Sequence, residues 1–289
     1  MNALPAHLPR LTIERAVAAA LEEDLGLAGD LTSQATLSPE AWAKASLSAR
    51  EPGVIAGLDL AAAAFRLVGD GVRFTPKVAD GERIAAGGIV AEVEGPARLV
   101  MSAERVALNF LNHLSGIATL TRIYADAVEG TGARICDTRK TTPGLRAFEK
   151  YAVRCGGGAN HRYALNDAIL IKDNHIAVAG SVTAAYAAAE AFAGHLVAIE
   201  IEVTTLAELE EALAAGARIV LLDNMDNDTL RQAVAINAGR ARLEASGGVK
   251  LDRVRSIGET GVDYISTSQI TMGAKPLDLG LDVVIGAAR

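Results

Sequence analysis

Cysteine is scarce in this chain: Cys136 and Cys155 are its only two, and they form no CxxC pair. A disulfide scaffold is thereby excluded. The expected setting is reduced and cytoplasmic, with both thiols packed as small apolar residues. Aromatics make up only 4% of the residues, so the core has to be built from Ala, Leu, Val and Ile. Net positive charge is also missing: the formal charge of −7 argues against a general nucleic-acid binder. The N-terminus shows no basic-then-apolar targeting segment. The Ala-rich run 183–193 contains Glu190 and is too short to span a bilayer. What remains is a long chain of 289 residues, enough for one large domain or two smaller ones.

Against that acidic background one stretch stands out. Between Asp137 and His175 lie seven Lys/Arg residues and four acids, interleaved with Gly-rich turns. Basic groups beside such turns make a pocket for a small ligand with several negative charges.

The first part of the chain reads as a helix followed by a β-rich segment. Thr12 is the expected N-cap of a helix to about Asp24, with Ile13, Val17, Leu21 and Leu25 on its buried face and Gly26 and Gly29 at its end. AKASLSARE and IVAEVEG alternate as strands do, with turns at Asp80-Gly81 and Gly87-Gly88 and a helix over Leu58–Val68. Ser102 is the expected cap of a second long helix, which places Arg105 in its first turn. A cation there opposes the helix dipole, so Arg105 is either a plain surface residue or one aimed at an anion. Gly116 marks a kink or a domain join.

From residue 134 the pattern becomes βα. Six apolar runs (RICDT, AILIKDN, VAIEIEV, RIVLLDN, ARLEASGG and VDYISTS) alternate with amphipathic helices, and a further strand is possible near 160–167. Polar groups recur where the strands end: Arg139 and Lys140, Lys172, Glu202, Asp223, Ser246 and Ser268. In (β/α) barrels those ends build the active site.

Each motif admits a plainer reading. DTRK is a solvated turn or a ligand clamp, with a planar fork at Arg139 and a point charge at Lys140. Thr142-Pro143 starts a helix whose Arg146, Lys150 and Arg154 form a solvated basic row. His161 beside Arg162 is structural or holds an aromatic acid by hydrogen bonds and stacking. Lys172 is an anion contact or a Schiff-base nucleophile. Glu200 and Glu202 face one side of a strand. With Asp223, and with no His or Cys at zinc-like spacing, they favour Mg²⁺ bound through carboxylate, water and substrate phosphate. Ser246-Gly247-Gly248 is a turn that can cradle phosphate.

Taken together, DTRKTTPGLRAFEKYAVRCGGGANHRYALNDAILIKDNHI, EIEV, LLDN, LEASGG and GVDYIS resemble the quinolinate phosphoribosyltransferase family. The resemblance extends to EEDLGLAGDLTS, SAERVALNFLNHLSGIAT and the LDLGLDV tail, nearly the whole chain. It implies an N-terminal α/β sandwich over 1–115, completed by the tail 272–289, and an incomplete α/β barrel over 116–271. It implies a homodimer with shared active sites. By the same resemblance Arg139, His161, Arg162 and Lys172 hold quinolinate, together with Arg105 from the other subunit. Lys140, Glu202 and Asp223 serve phosphoribosyl pyrophosphate and Mg²⁺ and carry the catalysis. Ser246, Gly247, Gly248 and Ser268 contact phosphate. Some members of the family have Gly where Ser268 stands and His or Gln near Met272, which leaves the last phosphate contact open.

Overall fold

The computed structural model describes residues 7–287. Its internal contacts divide the chain into two units. The first takes the residues up to Arg122, together with Ala147–Gly157 and the residues from Ala274 onward. The second takes Ile123–Arg146 and Gly158–Gly273. No helix among the described residues is long and apolar enough to cross a membrane.

In chain order the elements before residue 160 are α1 (Arg10–Leu25), α2 (Leu31–Thr36), β1 (Ala41–Ala49), β2 (Gly53–Val54), α3 (Leu58–Leu67), β3 (Arg73–Pro76), β4 (Arg83–Ile84), β5 (Ile89–Pro96), α4 (Ala97–Ala127), β6 (Arg134–Cys136) and α5 (Arg146–Cys155). Then come β7 (Ala168–Ile171), α6 (Asp173–Ala179), α7 (Val182–Phe192), β8 (Ala198–Val203), α8 (Leu206–Ala214), β9 (Ile219–Asp223), α9 (Asn227–Asn237), β10 (Arg242–Ser246), α10 (Leu251–Gly258), β11 (Tyr264–Ser266), α11 (Gln269–Met272) and β12 (Leu279–Ala287).

The first unit is built on an antiparallel sheet of order β12-β1-β5-β3. Ala43, Ala45 and Leu47 alternate inward along β1 while Lys44 points out and pairs across the strand with Glu94 at 3.4 Å. Ile13, Val17 and Leu21 of α1 are buried, and Phe65 of α3 stacks on Phe74 of β3 with centroids 5.9 Å apart. Each such large side chain contributes roughly 1.5–3 kcal/mol when fully buried. The N-terminus of α3 has no capping side chain of its own. Asp80, from the turn before β4, accepts the N–H groups of Gly57 and Leu58 at 3.0 and 3.2 Å instead. Tyr151 of α5 donates to the same carboxylate at 2.7 Å.

Several local expectations are corrected. α1 starts at Arg10 behind Pro9, so Thr12 lies within its first turn and caps nothing; its N–H bonds to the Pro9 carbonyl. α4 begins at Ala97, directly after Pro96, and Ser102 is a helix-interior residue whose hydroxyl bonds back to the Arg98 carbonyl and to Asp30. Arg105 is therefore well inside α4, where the dipole argument does not apply. α5 starts at Arg146, with Thr142–Leu145 as a preceding turn. Lys150 is buried rather than solvated, and its neighbour Glu149 is buried with His113 of α4 2.9 Å from its carboxylate. No strand forms over 160–167; the one link there is a bridge between Ala159 and Cys136. Cys136 and Cys155 are both buried, and burial pushes the Cys155 thiol up.

Gly116 lies within α4, which runs unbroken from Ala97 to Ala127. A Cβ at that position would lie 2.1 Å from the Lys275 carbonyl oxygen, so the residue admits a close backbone crossing. Gly116→Ala is accordingly expected to lower stability by about 1–3 kcal/mol, the usual cost of overpacking. Urea unfolding followed by circular dichroism would measure it, and an unchanged midpoint would contradict the crossing.

The second unit carries six parallel strands in the order β6-β11-β10-β9-β8-β7, interleaved with helices. β6 and β7 are consecutive in sequence but occupy opposite edges, so the cycle is a barrel left open. The βα connectivity makes every strand run the same way, and all the strand C-termini reach one rim.

Candidate active site

At that rim lies a cavity of about 760 Å³. Arg139, Lys140, His161, Arg162, Lys172, Glu202, Asp223, Ser246, Gly247, Gly248 and Ser268 all line it. Of the residues expected from sequence, Arg105 alone is elsewhere, exposed on α4 in the first unit. The lining also includes Glu244, Asn224, Lys250, Thr267 and Gln269. Motif reading passed over these, because Glu244 is hidden in an apolar strand, Gln269 opens the short helix α11, and the others fall in turns of ordinary composition.

The loops that carry the cations are fastened by hydrogen bonds. Asp137, at the end of β6 and fully buried, accepts from the Asn160 amide at 2.6 Å and from the His161 N–H at 2.8 Å. The Arg146 side chain donates to the hydroxyl of Thr141 at 3.1 Å and to the carbonyls of Arg139 and Tyr163 at 3.4 Å each. Thr271 donates to the Lys140 carbonyl at 2.8 Å. His175 accepts the N–H of Lys172 at 2.9 Å.

Arg139 and Arg162 are the centre of the site. The Nε of each is buried and has no hydrogen-bond partner. Burial, and after it the charge of Arg139, pulls the Arg162 guanidinium below the ordinary arginine value. Two partly desolvated cations with unused donors call for an anion between them. Lys172 is exposed and pairs with Glu202 at 2.7 Å. That setting is the reverse of the desolvated pocket a Schiff-base lysine needs, and it favours the anion-contact reading.

His161 is held at both ring nitrogens. Nδ1 accepts the N–H of Arg162 at 2.8 Å, so the proton belongs on Nε2, which donates to Glu200 at 2.8 Å. The ring is left to offer its face to a ligand, not a hydrogen bond. Glu244 lies 3.7 Å from the same Nε2. His161, Glu200 and Glu244 thus bring three potential ligand atoms within 4.8 Å of one another, a cluster that no sequence spacing announced. One oxygen on each carboxylate is buried and unpartnered. Burial first, and then the charge of Glu200, pushes the Glu244 carboxyl up to about 7.

Asp223 and Glu202 end adjacent parallel strands. Both offer hard oxygen donors, and no His or Cys stands with them; such a set suits Mg²⁺. The Ser246–Gly248 turn has positive φ at Gly247 and Gly248, 89° and 59°, which exposes successive N–H groups to the cavity.

The family profile described as the N-terminal domain of quinolinate phosphoribosyl transferase matches residues 30–115, and that of its C-terminal domain matches residues 117–282. The chain belongs to this family. The chain is 45% identical over 279 residues to the nicotinate-nucleotide pyrophosphorylase (carboxylating) of Mycobacterium leprae, covering 95% of this chain and 96% of that protein. A probable enzyme of the same name from Bacillus subtilis is 44% identical over 263 residues, with 91% and 90% covered. The crystal structure of NadC from Streptococcus pyogenes superposes with a TM-score of 0.94 at 43% identity, covering 98% of this chain and all of that one.

Glu244 provides a test of the buried cluster. A carboxyl whose folded pKa lies above its unfolded value binds its proton more tightly when folded. It costs nothing below the ordinary carboxylate range, and stability falls as the pH climbs from about 4.5 to about 7. Glu244→Gln should therefore raise stability at pH 8 by about 1–3 kcal/mol and leave it unchanged at pH 4. Equal effects at the two pH values would contradict the raised pKa.

Proposed function

We propose that this chain transfers the phosphoribosyl group of 5-phosphoribosyl 1-pyrophosphate to the ring nitrogen of quinolinate. Pyrophosphate and CO₂ leave, and nicotinate mononucleotide is formed for NAD biosynthesis. The observation that carries the reading is the neighbouring pair Arg139 and Arg162, each with an unpartnered buried Nε in a strand-end cavity. A pyridine bearing two adjacent carboxylates matches that pair, and no monocarboxylate does so fully.

The roles follow from the chemistry of each group. Arg139, Arg162 and Lys172 hold the dicarboxylate, with the His161 ring against it. Lys140, Ser246, Gly247, Gly248 and Ser268 receive the phosphates, and Lys140 steadies the charge that develops on the leaving pyrophosphate. Glu202 and Asp223 support the positive charge that grows at C1 of the ribose. The same two carboxylates would hold Mg²⁺, which supplies further charge neutralisation to the pyrophosphate when bound. Once the ring nitrogen carries the ribose it is cationic. The electron pair left on C2 by the departing carboxylate is then stabilised in place, and C2 takes up a proton.

The assembly in this reading is a homodimer in the cytoplasm, with Arg105 of the partner subunit completing each site. Exposure of Arg105 on α4 leaves it available for that purpose.

Mg²⁺-dependent release of labelled CO₂ from quinolinate, seen only with phosphoribosyl pyrophosphate, tests the activity directly. Arg139→Ala and Arg162→Ala are each expected to lower turnover on the order of 100-fold with thermal melts like the parent's. Near-normal turnover in both would remove the assignment. The shared site has its own test. Arg105→Ala and Lys140→Ala proteins, each inactive, should recover about a quarter of parental activity on mixing, because half the dimers are hybrids with one intact site. No recovery after confirmed subunit exchange would rule out sharing.

A further inference from the structure

Asn224 follows Asp223 at the end of β9 and adopts φ 55°, one of two non-glycine residues in the left-handed region among those described. Asn tolerates that conformation better than most side chains. Three contacts fix it there. Its N–H donates to the Ser246 carbonyl at 3.0 Å. Its side-chain Nδ2 donates to Asp223 Oδ2 at 2.7 Å, an orientation the carboxylate requires because it only accepts. Its Oδ1 lies against Gly247, where an added Cβ would come within 2.2 Å of it.

These contacts join two parts of the cavity. Asp223 is the carboxylate of one strand end, and Ser246–Gly248 is the turn of the next; β9 and β10 are hydrogen-bonded neighbours with Asp223 opposite Ser246. Asn224 is wedged between them, with its backbone tied to one and its amide tied to the other. Gly247 has no side chain because Asn224 occupies the space one would need.

We propose that Asn224 is a positioning residue that sets the Asp223 carboxylate against the Ser246–Gly248 turn, so that metal-bound phosphoribosyl pyrophosphate finds both at once. This rests on the assignment of those groups under the proposed function. Partners that orient a metal-binding carboxylate are typically worth 10–100-fold in affinity. The dicarboxylate half of the cavity, formed by Arg139, Arg162 and Lys172, makes none of these contacts and is independent of Asn224.

Calorimetric titration separates the two halves. The probes are phosphoribosyl pyrophosphate with Mg²⁺, and phthalate, a dicarboxylate of the same geometry that lacks the ring nitrogen and cannot be ribosylated. Asn224→Gly keeps the left-handed backbone without strain and removes the amide. It is expected to weaken Mg²⁺–phosphoribosyl pyrophosphate about 10-fold while phthalate affinity stays within twofold. Unchanged affinity for both probes would overturn the inference, as would equal weakening of both, the mark of general damage to the cavity. Should Asn224→Gly melt well below the parent, Asn224→Asp takes its place. It has the same shape but sets an oxygen against Asp223 where the donor was, so the same selective loss is expected; equal or tighter binding would overturn the inference. If the parent protein binds neither probe, the proposed function itself fails, a result that the parent titration alone reveals.

Discussion

Arg139 stands near enough to Arg162 for its charge to act there, and the Nε of each is buried away from water. Left alone, the two side chains would swing apart into solvent. They do not, because their loops are tied down by groups that touch no ligand. Asp137 holds Asn160 and His161, Arg146 bonds to the carbonyls of Arg139 and Tyr163, and the Arg162 guanidinium itself donates to the Ala168 carbonyl at 3.1 Å. The repulsion is therefore built in during folding. Under the proposed function, a dianion entering the cavity would find its counter-charges already placed.

Deeper in the sheet the sign reverses. Glu200 and Glu244 lie two residues before Glu202 and Ser246 on their strands, and both are buried beside His161. One oxygen of each carboxylate and the Nε of each arginine are buried without a hydrogen-bond partner, and of the two carboxylates Glu244 reaches the cavity lining. His161, with Nδ1 against the Arg162 N–H and Nε2 against Glu200, joins the arginine loop to the buried carboxylates.

Much of this was legible in the chain because strand ends are easy to find. Six short apolar runs, each closed by a polar group, map onto six parallel strands in register with one another. The cavity lining follows from that regularity. What escaped was set by contacts distant in sequence. Lys150 sits in an i, i+4 basic row and looks solvated, yet α5 is packed with that side inward. Ser102 has the composition of a cap, but Pro96 ends β5 and the helix begins directly after it, at Ala97. Glu244 occupies an inward position in an apolar strand, where nothing local distinguishes a buried carboxylate from an outward-facing one. Asn224 reads as an ordinary turn residue until Gly247 is seen pressed against it.

The strand β12 pairs along its whole length with β1, Ala41 opposite Ala287 and Ala49 opposite Leu279. The entire second unit is encoded between those two partners. On a translating ribosome the opening sheet thus stays one strand short until residues 279–287 emerge, while the parallel strands of the second unit, all earlier in the sequence, are already out. Such distant pairing makes for slow closure. It leaves an open flank on β1 for the length of synthesis, and strand exchange with another nascent chain is the characteristic hazard of that interval.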